Sequence, residues 1–273
     1  VFPDVAVTVG ELKSPWLVRL AGRLERSAYR TTNAITVVST DLEANIRVKL
    51  ADIPHPPVVE TIPNFTDTAN LRPLDRITDY RVEHGLGDRT VVMYAGNLGH
   101  SQSLDLVVEA ARRHRHRDDL TYVINGGGVR SQDLAAVSSE LPNLVVVDYQ
   151  PVERLAEVLA TADIHAVPLR AGLASASVPS KVYSVMAAGR PVVASVDPGS
   201  EVARMVIDAG AGLVVPPDDP DAFVAAVEYL GSEVELRNRM GIAGRAWVEK
   251  CQSSAVVAYG YMDLVERLNG SPK

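Results

Sequence analysis

The 273 residues are 47% hydrophobic and 22% charged, enough to bury a full core, and the length suits one large domain or one domain with part of a second. A net charge of -7, from 27 basic and 34 acidic residues, supplies no global attraction to nucleic acid or to an anionic membrane, so any basic patch is local. The single cysteine, Cys251, excludes an internal disulfide and a thiolate metal site and points to a reducing compartment such as the cytoplasm; no apolar run approaches the ~20 residues of a membrane-spanning helix.

The chain opens Val1-Phe2-Pro3-Asp4, with neither an initiator Met nor a signal-peptide pattern, and reads as an internal start. Residues 16–30 have helical periodicity. Within them Arg19, Arg23, Arg26 and Arg30, spaced four, three and four apart, form one basic stripe. That stripe is either a solvated face or a contact for anionic lipid head groups or a lipid-pyrophosphate acceptor, with Trp16 near the interface. A strand over 35–38, a helix over 41–50 capped by Ser39, Thr40 or Asp41, and a strand over 58–62 follow. Two strands and two helices fall short of a complete Rossmann-like domain. The proline-containing stretch 63–73 is the best domain boundary.

From Thr90 onward, short β-branched runs alternate with helical segments, the pattern of βα units that build a parallel sheet. The runs are Thr90–Ala95, Leu120–Asn125, Leu144–Val147, Ile164–Pro168, Val192–Ser195 and Gly212–Val215. The fold class is therefore α/β, a Rossmann-like parallel sheet with a partial second Rossmann-like domain before it. Residues 219–230, 233–250 and 253–268 read as closing helices. The expected division is 1–66, 67–250 and 251–273.

In an open parallel sheet, ligands bind beyond the carboxyl ends of the strands. After the first of the six strands comes Gly96-Asn97-Leu98-Gly99-His100-Ser101-Gln102, either a plain strand-to-helix turn or a turn whose glycines let backbone N–H groups approach an anion. After the second comes Asn125-Gly126-Gly127-Gly128, either a tight turn or, together with residues 149–152, including Gln150, a surface for a flat base. After the fourth comes a long small-residue loop, Pro168 to Lys181, where Ser180 is expected to cap the next helix. Lys181 is either solvated on the first turn or the partner of a pyrophosphate, since a cation near a helix N-terminus is mildly unfavourable unless an anion offsets it.

The run from Pro179-Ser180-Lys181-Val182-Tyr183-Ser184 through Ala188-Gly189-Arg190-Pro191 to Val192-Val193-Ala194-Ser195 resembles the donor-site helix and strand of family 4 (group 1) GT-B glycosyltransferases. Ile62-Pro63-Asn64, Tyr94-Ala95-Gly96-Asn97, Asn125-Gly126-Gly127-Gly128 and Gly212-Leu213-Val214-Val215-Pro216 agree in order and spacing over about residues 1–265. The Pro-Ser-Lys form and the Gly-Asn-Leu-Gly…Gln loop are similar to the subgroup that builds bacterial surface polysaccharides and includes N-acetylfucosamine transferases. The resemblance implies a retaining enzyme of two facing Rossmann-like domains, using a nucleotide-sugar donor, UDP-linked in this reading, and a glycan or lipid-linked acceptor, at the inner face of the membrane. It implies no metal and no nucleic acid. It also implies that most of the acceptor domain lies outside the 273 residues, that the last helix crosses back to that domain, and that apolar groups such as Phe2, Trp16 and Tyr261 are left unprotected.

Where many members carry two Glu eight positions apart, this sequence has Ala176 and Ser184, and the usual phosphate-holding Arg and Lys correspond to Asn97 and Gln102. Lys181, helped by Arg170, is then the expected phosphate cation, with Glu201 near enough to the cleft to touch the sugar and Ser184 left for the ribose. Glu201 reads equally as a first-turn carboxylate favoured by the helix dipole. His100 is either a phosphate donor or a solvated loop residue; His165, within a strand, reads as a satisfied core group; His114 to Arg117 sit at a helix end without metal-ligand geometry. The function expected is sugar transfer. A binding module without turnover is the alternative, and a sugar epimerase is disfavoured by the absence of a paired acid and base.

Overall fold

The computed structural model describes residues 3–270; the reading of Phe2 as exposed lies outside them. The first unit contains α1 (Asp4–Thr8), α2 (Pro15–Thr31), β1 (Ala34–Val37), α3 (Thr40–Leu50) and β2 (Val58–Thr61). Strands β1 and β2 form a two-stranded parallel sheet, and α3 buries Leu42, Ile46 and Leu50 against Val37 and Val59. Of the three candidate caps for α3, Ser39 serves: its hydroxyl accepts from the amide of Leu42 at 3.2 Å.

The linker carries a short α4 (Asp79–Glu83), and the second unit then runs β3 (Thr90–Ala95), α5 (Leu104–Arg113), β4 (Leu120–Asn125), α6 (Ser131–Ser138), β5 (Leu144–Val147), α7 (Leu155–Thr161), β6 (Ile164–Pro168), α8 (Lys181–Ala187), β7 (Val192–Ser195), α9 (Glu201–Asp208), β8 (Gly212–Val215), α10 (Pro220–Ser232), α11 (Val234–Cys251) and α12 (Ser254–Gly270). The sheet is parallel throughout, in the order β5-β4-β3-β6-β7-β8. One face is covered by α5, α6 and α10 through Leu104, Leu134 and Phe223; the other by α7, α8, α9 and α11 through Leu159, Met186, Val206 and Val248. Because the chain builds outward from β3 in one direction and from β6 in the other, the topological switch lies between β3 and β6. The loops after these two strands flank the crevice where such sheets bind ligands. The short α1 and α4 were not expected from the sequence, since five residues hold too few turns to show a period.

Beyond β3, β4 and β5 the backbones continue to pair. Gly96 N donates to Asn125 O at 2.9 Å, Leu98 N to Gly127 O at 2.9 Å, and Gly126 N to Val147 O at 2.8 Å. This contact, not a ligand, explains Gly126: at φ +152 an added Cβ would stand 1.8 Å from the Gly96 carbonyl oxygen. At the other end of the chain, α12 packs Val257 and Leu264 on Ile62, and its start pairs with Thr66 through Ser253. Trp16 and Tyr261 are 63% and 45% exposed.

Gly126→Ala is expected to lower stability by about 2–4 kcal/mol in urea unfolding, since clash and backbone strain act together. Gly172→Ala, at φ +79 with open space around it, should lose only the left-handed penalty of about 1–2 kcal/mol. Equal losses at the two positions would remove the loop contact as the cause.

Candidate functional site

Lys181 is the first residue of α8, and its side chain turns toward the switch point instead of into solvent. The ammonium Nζ is buried, has no hydrogen-bond partner, and lies 3.5 Å from the centroid of the Tyr94 ring. A Cβ at Gly96 would be 2.9 Å from that nitrogen, so glycine there leaves the space that the ammonium takes. Burial is the cause that pulls its pKa from 10.5 down to about 7. An isolated buried cation is disfavoured unless something compensates it. The geometry therefore provides a preorganised, unsatisfied positive charge at the carboxyl end of the sheet.

The adjoining cavity, about 310 Å³, is lined by Gly96, Asn125, Tyr149, Gln150, Lys181 and Ser184, with an apolar floor of Leu155, Val158 and Leu159. Four expected site residues thus come together: Gly96, Gln150, Lys181 and Ser184. Tyr149, 58% exposed, lies over Gly127, whose added Cβ would meet the ring at 3.0 Å. Asn125 is fixed by the Tyr80 hydroxyl, which donates to its Oδ1 at 2.9 Å. A larger apolar groove of about 650 Å³, between α2 and β1, is lined by Leu17, Leu20, Leu24 and Ile35 and has little polar chemistry to offer.

Other expected residues stand elsewhere. The amides of Gly96, Gly126 and Gly128 are already bonded to Asn125 O, Val147 O and the Ser131 hydroxyl, and Gly99 N donates to Gln102 Oε1 at 3.1 Å. The glycine turns therefore do not present these N–H groups to an anion, and Gln102 braces its own loop. Asn97 borders a neighbouring groove with His100 and Val5. Arg170 lines a separate depression with Asp105, Arg112 and Arg130. Ser180 is exposed and makes no capping bond, correcting the expectation from the sequence; its backbone is already in a helical conformation, φ -57 and ψ -21, which keeps the hydroxyl off the first-turn amides. Glu201 is engaged by the first unit: it accepts from Thr40 Oγ1 at 2.8 Å and pairs with Arg204 at 2.9 Å, while its own amide donates to Asp41.

The loop after β6 is shaped by two carboxylates. Asp197 accepts from the amides of Gly172 and Ala174, and Asp218 from that of Ala171 and from the Ser103 hydroxyl. His165 is a satisfied core group, as expected: Nε2 bonds Leu159 O at 2.9 Å and burial depresses its pKa to about 4. His114 is likewise buried, between the Tyr122 hydroxyl and Glu228. Among the described residues there is no cluster of three His, Cys, Asp or Glu arranged for a metal. Tyr149 falls within the 149–152 stretch expected beside a base, whereas Tyr94 entered the sequence reading only as part of the Tyr94-Ala95-Gly96-Asn97 motif, with no contact to Lys181 expected of it.

The sequence profile described as glycosyl transferases group 1 matches residues 89–233, just over half of the chain. The chain belongs to that family. Among curated relatives, the Pseudomonas aeruginosa chain named "Probable glycosyltransferase WbjE" is 27% identical over 246 residues, covering 89% of this chain and 60% of its own length. A GDP-mannose-dependent alpha-(1-6)-phosphatidylinositol monomannoside mannosyltransferase of Mycolicibacterium smegmatis is 32% identical over 197 residues, 69% of this chain and 51% of its own. The chain thus spans half to three-fifths of the length of these relatives. In fold it is similar to the sucrose-phosphate synthase of Thermosynechococcus elongatus, with TM-score 0.77, 20% identity and coverage of 97% and 66%, and to Anabaena HepE in complex with UDP and glucose, with TM-score 0.77, 11% identity and coverage of 91% and 67%. The fold is that of GT-B glycosyltransferases, and no helix among the described residues is long and apolar enough to cross a membrane.

Lys181→Met keeps the side-chain length and removes the charge, so in protein without nucleotide it is expected to raise stability at pH 7. The sign follows from a folded pKa of about 7 against an ordinary 10.5: the ammonium's cost is full below pH 7, shrinks between the two values and vanishes above 10.5. Urea midpoints of both proteins at pH 7 and pH 10 test this; a constant difference would show that the charge is not what destabilises.

Proposed function

We propose that this chain carries the nucleotide-sugar-binding part of a retaining glycosyltransferase that uses a UDP-sugar and a glycan or lipid-linked acceptor. The buried, unpartnered ammonium of Lys181 at the switch point carries the reading, because it is a site for concentrated negative charge. Lys181 holds the phosphate next to the sugar. When the bond from the anomeric carbon to the phosphate oxygen breaks, the nucleoside diphosphate leaves with the electron pair, and a fixed cation in a poorly hydrated cavity stabilises that charge. The acceptor hydroxyl attacks the same face and passes its proton to the departing phosphate oxygen; no protein nucleophile takes part. Tyr149 and Gln150 bound the space for the base, and Ser184 reaches the ribose. Lys181 is the cation proposed at the phosphate, with Arg170, in its separate depression, left as a helper only if the loop 170–180 moves. Glu201 takes a role at the sugar only if it leaves Thr40 and Arg204.

UDP is supported by the HepE complexes with UDP and with UDP-glucose, and by the complex of S. aureus TarM with UDP; the mycobacterial relative, named for GDP-mannose, makes GDP the competing outcome. The resemblance to N-acetylfucosamine transferases makes an N-acetylated deoxy sugar the first donor to try. A nucleotide-sugar-binding module without turnover is the second reading, favoured by Ala176 and Ser184 standing where many members have Glu. Membrane contact is proposed through α2, where Arg19, Arg23 and Arg30 are exposed beside Trp16, whereas Arg26 pairs with Asp52 at 3.5 Å.

Calorimetric titration should show Lys181→Ala losing about 1.5–3 kcal/mol of UDP binding, the range for a hydrogen bond to a charged group, with uridine binding unchanged. Equal losses for both ligands would remove Lys181 from the phosphate. With the full-length gene product, release of UDP together with a glycosylated acceptor separates transfer from binding alone. Vesicles rich in anionic lipid should retain the protein at low salt, and an Arg19→Gln, Arg23→Gln, Arg30→Gln triple variant should retain less; equal retention would end the membrane proposal.

A further inference from the structure

An ammonium meant for an incoming anion has to be held in place without a carboxylate, because a carboxylate would neutralise it and compete for it. The residues lining the Lys181 cavity include no Asp or Glu. The groups facing Lys181 from the packed elements are Tyr94 on β3, Tyr149 after β5 and His165 on β6, while Glu157 of α7 is already paired with Arg154. Of these, Tyr94 lies under the ammonium, with its ring centroid 3.5 Å from Nζ, well inside the ~6 Å reach of a cation–π contact. The same residue is fully buried and its hydroxyl donates across the turn to the Asn97 carbonyl at 2.5 Å.

We propose that Tyr94 is the positioning residue of the anion site: its neutral ring face holds the Lys181 ammonium toward the cavity, and its hydroxyl fixes the Gly96–Asn97 turn beside that ammonium. The inference rests on the nucleoside diphosphate reading above. A ring attracts the cation without cancelling its charge, so the anion meets a cation that is oriented yet still available. Burial keeps the Tyr94 phenol well above its ordinary range and holds His165 down at about 4, so neither changes charge between pH 6 and 9 while Lys181, near 7, does. Binding of a diphosphate then takes up a proton, and affinity falls as pH rises above about 7.

The test is UDP and uridine titration from pH 6.5 to 9 with wild type, Tyr94→Phe and Tyr94→Leu. Tyr94→Phe, which keeps the ring, should stay within about threefold of wild type with the same pH profile, the size of a single neutral hydrogen bond. Tyr94→Leu should bind UDP about fivefold or more weakly, with the decline moved to lower pH, and bind uridine as before. A Tyr94→Leu protein with wild-type UDP affinity and pH profile overturns the inference, as does an equal loss for uridine. Independently of any variant, the ε-methylene protons of Lys181 in lysine-labelled protein should be shifted upfield by the ring current; an ordinary position overturns it too. Absence of nucleoside diphosphate binding by wild type removes the donor reading and this inference together, whereas wild-type binding with an indifferent Tyr94→Leu removes this inference alone.

Discussion

A primary ammonium buried without an acceptor is among the less favourable things a fold can contain, and the carboxyl end of this sheet is arranged around one. Three features make it tolerable. The Tyr94 ring supplies a soft negative face, Gly96 leaves out the Cβ that would collide with Nζ, and the flanking residues of α8 bury Val182, Val185 and Met186 in the core, so that the helix cannot swing the lysine out to water. Core burial of three such side chains outweighs the cost of one half-neutralised amine, since each contributes about 1.5–3 kcal/mol.

The loops around that charge are rigid for a reason that runs against the usual picture of glycine turns. Their amides are spent on one another, extending β3, β4 and β5 by several further bonds past the last ladder residue. The loop after β6 continues its pairing with β7 for one bond, Leu169 N to Ser195 O at 2.9 Å, and is then held by the carboxylates of Asp197 and Asp218, with Asp218 at a left-handed φ of +57 where it reaches both Ser103 and Ala171. At this end of the sheet the group left without a hydrogen-bond partner is consequently the Lys181 amine rather than an array of N–H dipoles. A point charge in a poorly hydrated cavity acts strongly at short range, and its strength varies with pH in a way that backbone dipoles do not.

This division explains what the sequence could tell. All six strands of the large sheet were legible because each is a β-branched run with helical periodicity on either side, and parallel strands buried on both faces must be apolar. Lys181 was legible as a residue at the carboxyl end of the sheet, since it opens the helix after β6, and the structure adds that its Nζ is buried without a hydrogen-bond partner. The direction of a side chain is not written in spacing, however. Gln102 and Arg170, adjacent to the site in sequence, point into their own loop and into a different depression, and Glu201 turns toward Thr40. Tyr94 was legible only as part of a motif, because an aromatic inside an apolar run reads as core; its ring packs in the core and also lies under the Lys181 ammonium.

The two sheets meet through contacts of unequal weight. Thr40, Asp41, Glu201 and Arg204 form a polar network across the gap, and Asn45 donates to Ser175 O at 2.8 Å. These groups are partly exposed, and exposed ion pairs contribute about 0–1 kcal/mol each. Against them stand Val257 and Leu264 of α12, both buried on Ile62, at about 1.5–3 kcal/mol apiece. The apolar seam of α12 therefore contributes more to holding the first unit on the second than the polar network does. Val178 of the second unit also packs on the first unit's core and Val9 of the first on the second's, so the joint combines apolar contacts with the polar network, while the Lys181 cavity is lined wholly by residues of the second unit.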